Sequence, residues 1–497
     1  MFNCFSDHLV CKKLLFSPFT KFIQTAMISV RSLLNALFAL SCVVSFAWAI
    51  PTQFENIKVL RVIDVDSAIA REDVGIRAKN IDTKAASEYY FHLPAILAQN
   101  TASISAFLRK QKTELEVKLD EYDDLTDMNV YKIILNEPVK PQEDILIGLK
   151  IAYIHNVKPM PTKLPQVSRQ HTVYAFNSYL LSPYFTKETK TTLQTPSKNI
   201  ASHKGAQGKV SVNNNKVVYG PYSDIAPFSF DIATCHFENT KPMITITSLQ
   251  RDIEVSHWGK NLAIEEDYAL RNDGALLDAD FNRVQYQVTG HLHDQTNVLK
   301  GLSFDLPASA RDPYFRDEVG NVSTSNFRNE NKRSILEIRP RYPIFGGWNY
   351  TWYQGFNADL GSYVHKAKSG KYVLNINFVE NVKDMTIDKA VVRVILPEGS
   401  ANVKVTTPFN VDSESITSHF TYFDSTGRTM VILEKSNVVK EHELPIQIEY
   451  EYSSFRLLQK PLVVSSAVFA LFFVSIVLNK MTFKIGKQET KSSLKKE

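Results

Sequence analysis

The sequence predicts a mainly β protein: two antiparallel β-sandwich-like domains, with some helix in the first, followed by one C-terminal transmembrane helix. Three observations support this fold class. Apolar and polar residues alternate in many short segments, which is the period of a half-buried strand. The 497 residues include 30 Phe and 21 Tyr, residue types that favour strands. One late apolar run carries no charge over 19 residues.

The amino-terminal residues 1–49 predict a signal peptide. Arg31 supplies the positive charge, an apolar run follows, and Ala47-Trp48-Ala49 is the small-x-small pattern of a cleavage site between Ala49 and Ile50. Met27 is an alternative start, because the residues before it add nothing that a signal peptide needs. An uncleaved anchor is the competing interpretation.

Cleavage at Ala49 would leave Cys235 as the one cysteine of the mature chain, so no internal disulfide is expected. Cys235 lies in the strand-like run 228–237, outside any recognisable nucleophile motif. We therefore predict a buried structural thiol.

Residues 95–119 place Ile96, Ile104 and Phe107 at helical spacing and predict a helix. Residues 156–225 are polar and predict loops, either between domains or within the first. Alternating apolar residues predict strands at 244–247, 372–378, 390–396 and 446–452, and a hairpin over 419–433. We place the first domain at 50–245 and the second at 246–458. The sequence shows no internal repeat.

The apolar run 461–479 predicts a transmembrane helix, since 19 residues nearly cross a bilayer core of about 30 Å. A buried core helix is the alternative. Six lysines lie in the tail 480–497, which is the positive-inside pattern. With a cleaved signal peptide this predicts a single-pass type I protein whose residues 50–460 are lumenal or extracellular.

The distribution of charge argues against a nucleic-acid partner. The formal net charge is +5, but residues 50–479 hold 47 basic and 49 acidic residues. A nucleic-acid binder needs a basic surface on its folded part.

Several short motifs resemble parts of catalytic or binding sites, but none is complete. The motifs are His291-Leu-His293 for zinc, Asp278-Ala-Asp280 and Asp64-Val-Asp66 for a divalent ion, Glu265-Glu266-Asp267 for glycosidase carboxylates, and Arg339-Pro-Arg341 for a phosphate. An exposed turn, a polar strand edge or a structural role explains each more simply. We predict no catalytic residue, no metal and no cofactor.

Two glycosylation sequons are present, at Asn321-Val-Ser323 and Asn349-Tyr-Thr351. In a lumenal chain both asparagines are expected at the surface, where they can be modified.

Three longer blocks resemble the ribophorin I family. They are VSHWG at 255–259 with AIEE at 263–266, FDLPASARDPYFRDEVGNVST at 304–324, and EIRPRYPIFGGW at 337–348. Weaker similarities lie at 182–184, 219–222 and 396–399, in family order. The resemblance is densest over 245–350 and thin before about residue 175.

This resemblance implies the alpha subunit of the endoplasmic reticulum oligosaccharyltransferase, the complex that transfers a preassembled glycan from dolichyl diphosphate to asparagine. In that family the catalytic site belongs to a separate multispan subunit. The alpha subunit is accessory, with two lumenal domains that help assembly and present acceptor polypeptide. The implied partners are the other subunits, nascent polypeptide and the endoplasmic reticulum membrane. The short tail departs from the vertebrate pattern, looks fungal, and argues against ribosome contact through the tail.

Aromatic residues beside the second sequon suggest a use for the lumenal surface. We hypothesise that Trp348, Tyr350, Trp352 and Tyr353 line a groove for peptide or glycan, since both pack on aromatic faces. An aromatic core cluster is the alternative. At the level of function, the alternatives are an enzyme that uses Asp278 and Asp280, and a free-standing lumenal lectin or chaperone-like receptor.

Overall fold

A computed structural model gives the fold, and it describes residues 53–123, 127–205, 209–292, 295–421, 424 and 426–481. The predicted signal peptide, with its cleavage site at Ala49 and Ile50, lies outside the described residues. So does the tail beyond Met481.

The first half of the chain consists almost entirely of strands. They are β1 (Phe54–Asp66), β2 (Ile69–Asn80), β3 (Ala86–Pro94), β4 (Thr101–Leu108), β5 (Thr113–Asp123), β6 (Met128–Val139), β7 (Asp144–Tyr153), β8 (Val157–Pro159), β9 (Lys163–Leu164), β10 (His171–Asn177), β11 (Thr186–Gln194), β12 (Ile200–Lys204), β13 (Val210–Asn213), β14 (Lys216–Ile225) and β15 (Ile232–Glu238).

The second half is built in the same way. Its strands are β16 (Ile244–Ser256), β17 (Asn261–Asn272), β18 (Leu276–Leu277), β19 (Val298–Leu299), β20 (Leu302–Pro307), β21 (Arg311–Asp317), β22 (Gly320–Asn321), β23 (Asn326–Asn329), β24 (Arg333–Ile338), β25 (Ile344–Phe345), β26 (Asn349–Asp359), β27 (Val364–Lys366), β28 (Tyr372–Asn377), β29 (Met385–Ile395), β30 (Ala401–Thr406), β31 (Ser413–His419), β32 (Arg428–Val438) and β33 (Pro445–Glu451).

Helices are few and mostly short in the described part of the chain. The α-helices are α1 (Ala95–Gln99), α2 (Arg283–Leu292) and α3 (Gln459–Lys480), and the 3₁₀ turns are Leu360–Ser362, Lys440–His442 and Ser454–Leu458.

Each half is organised around one large sheet. The first sheet has the order β13-β14-β11-β1-β2-β7-β4-β5-β6-β3 and faces the four-stranded sheet β12-β15-β10-β8 in the same core. The second has the order β22-β21-β26-β17-β16-β29-β32-β31 and shares its core with the sheets β20-β24-β23 and β27-β28-β33-β30. Layered sheets around an apolar core confirm the predicted mainly β class.

The two large sheets repeat one topology. In the first, β14-β11-β1-β2-β7-β4 are neighbours, and β1 pairs parallel with β11 but antiparallel with β2. In the second, β32-β29-β16-β17-β26-β21 are neighbours, and β16 pairs parallel with β29 but antiparallel with β17. The repeat, which the sequence does not show, therefore exists in the backbone.

An Arg–Glu pair occupies the equivalent place in both halves. Arg61 is the eighth residue of β1 and pairs with Glu72 on β2, and Arg251 is the eighth residue of β16 and pairs with Glu266 on β17. All four side chains are buried, so each sheet carries an ion pair inside its core.

The buried apolar residues form two large clusters. One runs from Phe54 to Met243, and the other from Ile244 to Tyr450. The change of cluster between Met243 and Ile244 supports the predicted domain boundary at residue 245, which stays a prediction.

Polar contacts join the two halves. The Lys241 ammonium lies 3.1 Å from the Asp66 carboxylate and 2.9 Å from that of Asp384. The His155 ring nitrogen Nε2 lies 2.8 Å from the Asp388 carboxylate, and this contact raises the pKa of His155. The first half therefore packs on the turn that leads into β29 and on β29 itself.

The predicted helix over 95–119 is wrong. Only Ala95–Gln99 is helical, and β4 and β5 follow. In β4 only the small residue Ala106 is fully buried, so the strand lacks a clear alternation of buried and exposed residues. Its apolar residues therefore fall at a spacing that is also typical of a helix. Pairing of β4 with β7 decides the structure, because tertiary contacts outweigh local preference.

Loops were also expected over 156–225, where the structure has the strands β8 to β14. Of these, β11 and β14 belong to the large sheet of the first half. The predicted strands at 244–247, 372–378, 390–396 and 446–452 are confirmed by β16, β28, β29 and β33, although β16 extends nine residues further and β29 begins five residues earlier than predicted. The turn and second strand of the predicted hairpin over 419–433 are confirmed, but its first strand is β31, which ends at His419 instead of starting there, with His419 opposite Arg428.

The helix α3 covers the predicted transmembrane run 461–479. Its 22 residues span about 33 Å at 1.5 Å per residue, enough for a bilayer core. Its apolar side chains are exposed, which argues against the alternative of a buried core helix.

Candidate functional site: the outer face of the second large sheet

The four aromatic residues proposed as a groove do not share one surface. Trp352 is 3% exposed and stacks on Tyr268, with ring centroids 4.7 Å apart. Tyr350 is 5% exposed and also stacks on Trp352, with ring centroids 5.7 Å apart. Because residues two apart on a strand share a face, both belong to the core.

Trp348 precedes β26 and lies in a separate aromatic cluster. Its ring is within 6 Å of the rings of Phe281, Phe345 and Tyr342. It lines a cavity of about 300 Å³ together with the Leu276–Leu277 strand, Gly346 and Gly347.

Tyr353 points to the opposite face of the sheet, where it joins a hollow that we call the outer groove. The outer groove is lined chiefly by Gln250, Glu265, Asp267, Tyr314, Arg316 and Tyr353. It consists of two adjoining cavities of about 450 and 500 Å³ that share Asp267 and Tyr353.

Strand register places these side chains in rows across the sheet. Gln250 is opposite Asp267, Asp267 is opposite Tyr353, and Tyr353 is opposite Arg316. The row therefore crosses β16, β17, β26 and β21.

Gly355 makes room for the second row of the outer groove. It lies opposite both Glu265 and Tyr314, and a Cβ at this position would collide with the Tyr314 ring. The phenol of Tyr314 can therefore lie over Gly355 and donate a hydrogen bond to the Glu265 carboxylate.

The charges in the outer groove are of both signs. The Arg316 guanidinium donates to the Tyr353 hydroxyl at 3.3 Å and lies 5.9 Å from the Tyr314 ring centroid. Burial, followed by the negative charges of Glu265 and Asp252, raises the pKa of the Asp267 carboxyl. Burial and the Glu265 carboxylate raise the pKa of Tyr314. These groups can donate and accept hydrogen bonds and offer aromatic faces to a polar chain.

Both sequon asparagines are exposed. Asn349 and Thr351 lie on the same face of β26 as Tyr353, and the Thr351 hydroxyl donates to Glu318 at 2.7 Å. Asn321 lies in β22, the edge strand next to β21. Glycosylation of either asparagine stays a prediction.

The remaining motifs have structural surroundings. Asp278 and Asp280 are exposed near β18. Arg341 is 2.5 Å from the Asp317 carboxylate and also donates to backbone carbonyls, so it fixes the turn between β21 and β22. Cys235 is fully buried, and burial raises the pKa of its thiol to about 12, which fits the predicted structural role.

Glu266 shows why the acidic run 265–267 cannot act as one group. Its side chain is buried against Arg251, whereas Glu265 and Asp267 face outward. His291 lies in α2 and His293 lies outside the described residues. Within the described ranges, no group of three His, Cys, Asp or Glu residues is arranged to hold a metal.

Tyr314 and Arg316 were not among the predicted site residues, although they flank the buried Phe315 in alternation and could have been placed on one face. The missing information was that β21 pairs with β26, since the chain between them forms other sheets.

Comparison with known proteins identifies the family of this chain. The sequence model described as Ribophorin I matches residues 54–479. The chain is 33% identical over 423 residues to a protein of Arabidopsis thaliana named dolichyl-diphosphooligosaccharide–protein glycosyltransferase subunit 1B, covering 84% of this chain and 90% of that one. The rice subunit 1B is 32% identical over 88% of this chain and 94% of its own.

A nematode relative has a similar identity. The Caenorhabditis elegans subunit 1 is 33% identical over 87% of this chain and 73% of its own length. Among solved structures, yeast leukotriene A4 hydrolase has a TM-score of 0.25 over 37% of the chain at 7% identity, a likeness that carries no argument. On the match across 54–479 and the identity to these relatives, the chain belongs to the ribophorin I family.

Proposed function

We propose that this chain is a non-catalytic, membrane-anchored subunit of an oligosaccharyltransferase complex, which transfers glycan from dolichyl diphosphate to Asn-x-Ser/Thr of nascent polypeptides. The observation that carries the proposal is that relatives named as subunits of this transferase align with 84–88% of the chain. The catalytic site lies on another, multispan subunit.

The proposed location is the endoplasmic reticulum membrane, with the two sheet domains in the lumen. The exposed apolar helix α3 supports anchoring at the carboxyl-terminal end. The exposed sequon asparagines are compatible with a lumenal environment, and so is the buried thiol of Cys235, the one cysteine among the described residues.

Membership of the complex can be tested by purifying the tagged full-length chain from membranes in a mild detergent. We expect glycan transfer from lipid-linked donor to a sequon peptide in the eluate, together with a multispan partner. A chain that eluted alone, from membranes that keep the activity, would contradict the proposal and favour a free-standing lectin or chaperone-like receptor.

Within the complex we propose that the chain presents acceptor polypeptide along the outer groove. An extended polypeptide has backbone N–H groups, from which Glu265 and Asp267 can accept hydrogen bonds. It also has carbonyl groups, to which Arg316 can donate. The rings of Tyr314 and Tyr353 offer apolar faces to its side chains. Such contacts are independent of sequence, as an accessory subunit serving many acceptors requires.

The double substitution Tyr353→Ala with Arg316→Ala tests this assignment. Both side chains lie on the outer face, so the fold should persist. Losing one aromatic face and one guanidinium, at about 1 kcal/mol in total, predicts a roughly fivefold loss of photo-crosslinking between the purified complex and a sequon peptide.

Tyr122→Ala is the matched control, because Tyr122 is a half-exposed tyrosine of the first half, at 46%. It should leave crosslinking unchanged. Equal crosslinking in the double variant and the native complex would remove the outer groove as an acceptor surface, without affecting membership of the complex.

A further inference from the structure

The end of the second half from which α3 emerges brings three loops together. They are the turn 257–260 between β16 and β17, the segment 396–400 after β29, and the described residues of the turn 420–427 before β32. Because β16 and β29 are parallel and β32 is antiparallel to β29, all three loops lie at the same end of the large sheet. We call this the helix-proximal end.

Side chains of the loops hold the start of α3. The Lys460 ammonium is 2.5 Å from the Asp424 carboxylate, and the Gln459 amide donates to Glu398 at 3.2 Å. Burial alone would raise the pKa of Asp424, but Lys460 and Thr421 lower it to about 2, so this anchor stays charged. These contacts fix the sheet relative to the first turn of α3.

The turn 257–260 is fixed to the same place by aromatic contacts. His257 stacks on Tyr452, with ring centroids 4.8 Å apart, and its Nε2 is 2.9 Å from the Tyr450 hydroxyl. Tyr452 lies two residues before the 3₁₀ turn Ser454–Leu458 that leads into α3.

Large apolar side chains are exposed at the helix-proximal end. Trp258 is 77% exposed, Phe420 is 65% exposed and Phe455 is 73% exposed. They come from three separate segments, and the fold shields none of them. Exposed aromatic residues grouped in this way mark a contact surface.

Exposed lysines also lie at this end. Lys260 follows Trp258 in the same turn, and Lys366 and Lys368 are exposed at the turn between β27 and β28. That turn is at the same end, since Tyr372 at its far side pairs with Tyr450.

The position of α3 determines what covers this surface. Phe455 is six residues before the uncharged run that begins at Pro461, which is about 10 Å along the helix axis. The headgroup layer on each side of a bilayer core is several ångströms thick, and it is where Trp and Tyr side chains concentrate and to which Lys side chains near helix ends extend. A bilayer crossed by α3 therefore places its interface at the level of these rings.

We propose that the helix-proximal end rests on the membrane, with Trp258, Phe420 and Phe455 inserted into the lipid headgroup region and Lys260, Lys366 and Lys368 near the phosphates. The contact holds the sheet domain upright on its helix, so the outer groove keeps a defined height above the bilayer. This inference depends on α3 spanning a membrane and does not depend on the proposed transferase.

Quenching of tryptophan fluorescence by brominated lipid tests the proposal. The full-length chain is reconstituted into phosphatidylcholine vesicles whose acyl chains carry bromine near the headgroup, and into matching vesicles without bromine. We expect brominated lipid to quench part of the emission, and Trp258→Phe to abolish that quenched part.

The internal tryptophans provide the first control. Trp352 is seven residues along β26 from Asp359, which lies opposite Asn261 beside the 257–260 turn, so it is about 24 Å from this end. Trp348 precedes β26 and therefore lies beyond Trp352 from this end. Trp348→Phe should leave the quenched emission unchanged.

An equally exposed tryptophan placed elsewhere provides the second control. Val319 is 80% exposed in the turn after β21, at the level of Trp352. In the Trp258→Phe background, Val319→Trp should restore emission but not quenching.

Quenching that survives Trp258→Phe, or that is equal for Val319→Trp, would overturn the proposal. Quenching seen in the isolated chain but lost in the intact purified complex would also overturn it, because a protein partner would then cover this end. The melting temperature of each variant is measured as well, and only variants that melt at the same temperature as the native protein are compared with it, so that a folding defect is recognised.

Discussion

Replacing Arg251 by alanine is expected to lower the free energy of unfolding of the second half by about 3–5 kcal/mol, the usual cost of breaking a buried ion pair. The Arg251 side chain has no exposed surface and pairs with Glu266, and its Nη2 is 3.4 Å from the Glu380 carboxylate. Burial alone would lower the pKa of Arg251, but the charges of Glu380 and Glu266 raise it. Removing Arg251 leaves the buried Glu266 carboxylate and the partly exposed Glu380 carboxylate without their shared cation.

The other contacts of Glu266 do not compensate for this loss. Its carboxylate accepts the Tyr268 hydroxyl at 3.0 Å and the Gln354 amide at 3.1 Å, both of them neutral donors. We therefore expect Arg251→Ala to unfold at lower urea concentration, measured by limited proteolysis of the detergent-solubilised chain.

Arg393→Ala is the matched control for this measurement. Arg393 pairs with Asp252 on the neighbouring strand, but about a third of its side chain is exposed. A pair of this kind contributes about 1 kcal/mol or less. Equal effects of the two substitutions would show that burial of the Arg251 pair does not matter for stability.

Trp352→Ala is the second substitution with a large expected effect, about 3–5 kcal/mol of stability, as for other buried aromatic side chains. The ring stacks on Tyr268 and on Tyr350, and its Nε1 donates to Gln354 at 3.3 Å. The substitution leaves a cavity and removes the hydrogen bond that orients Gln354 toward Glu266.

The adjacent residue Tyr353 is the control, since Tyr353→Ala acts on the outer face and should cost about 1 kcal/mol or less. The same proteolysis assay applies. If both variants unfolded at the same urea concentration, the assignment of Trp352 to the core would be wrong. A loss of peptide crosslinking in Trp352→Ala would report unfolding rather than the loss of a binding surface.

The strand period could have separated the two roles from sequence alone. Tyr350 and Trp352 are two apart and face the core together, whereas Tyr353 faces the other way. Grouping neighbouring aromatic residues into one groove ignored this alternation. The mainly β class and the late helix were predictable because they depend on local patterns.

Long-range pairing was not predictable in this way. Nothing near Arg316 indicates that it lies beside Tyr353, since the two are 37 residues apart and other strands lie between them. The repeated topology is hidden for a similar reason. Many different apolar sequences can form the same strand order, so the two halves need not be similar in sequence. The equivalent pairs Arg61–Glu72 and Arg251–Glu266 are too few to show the repeat in the sequence.

The parallel pairing of β16 with β29 has a consequence for the order of events during synthesis. The two strands bring together Thr245 and Thr386, which are 141 residues apart. Contacts between such distant residues form slowly and only once both segments have been made. Asn321 and Asn349 both precede β29 in the chain. In a protein threaded into the lumen from its amino terminus, both asparagines arrive while the sheet still lacks β29 and β32. Both sequons therefore reach the lumen before the large sheet is complete, although β17 and β21, the two partners of β26, have already been made.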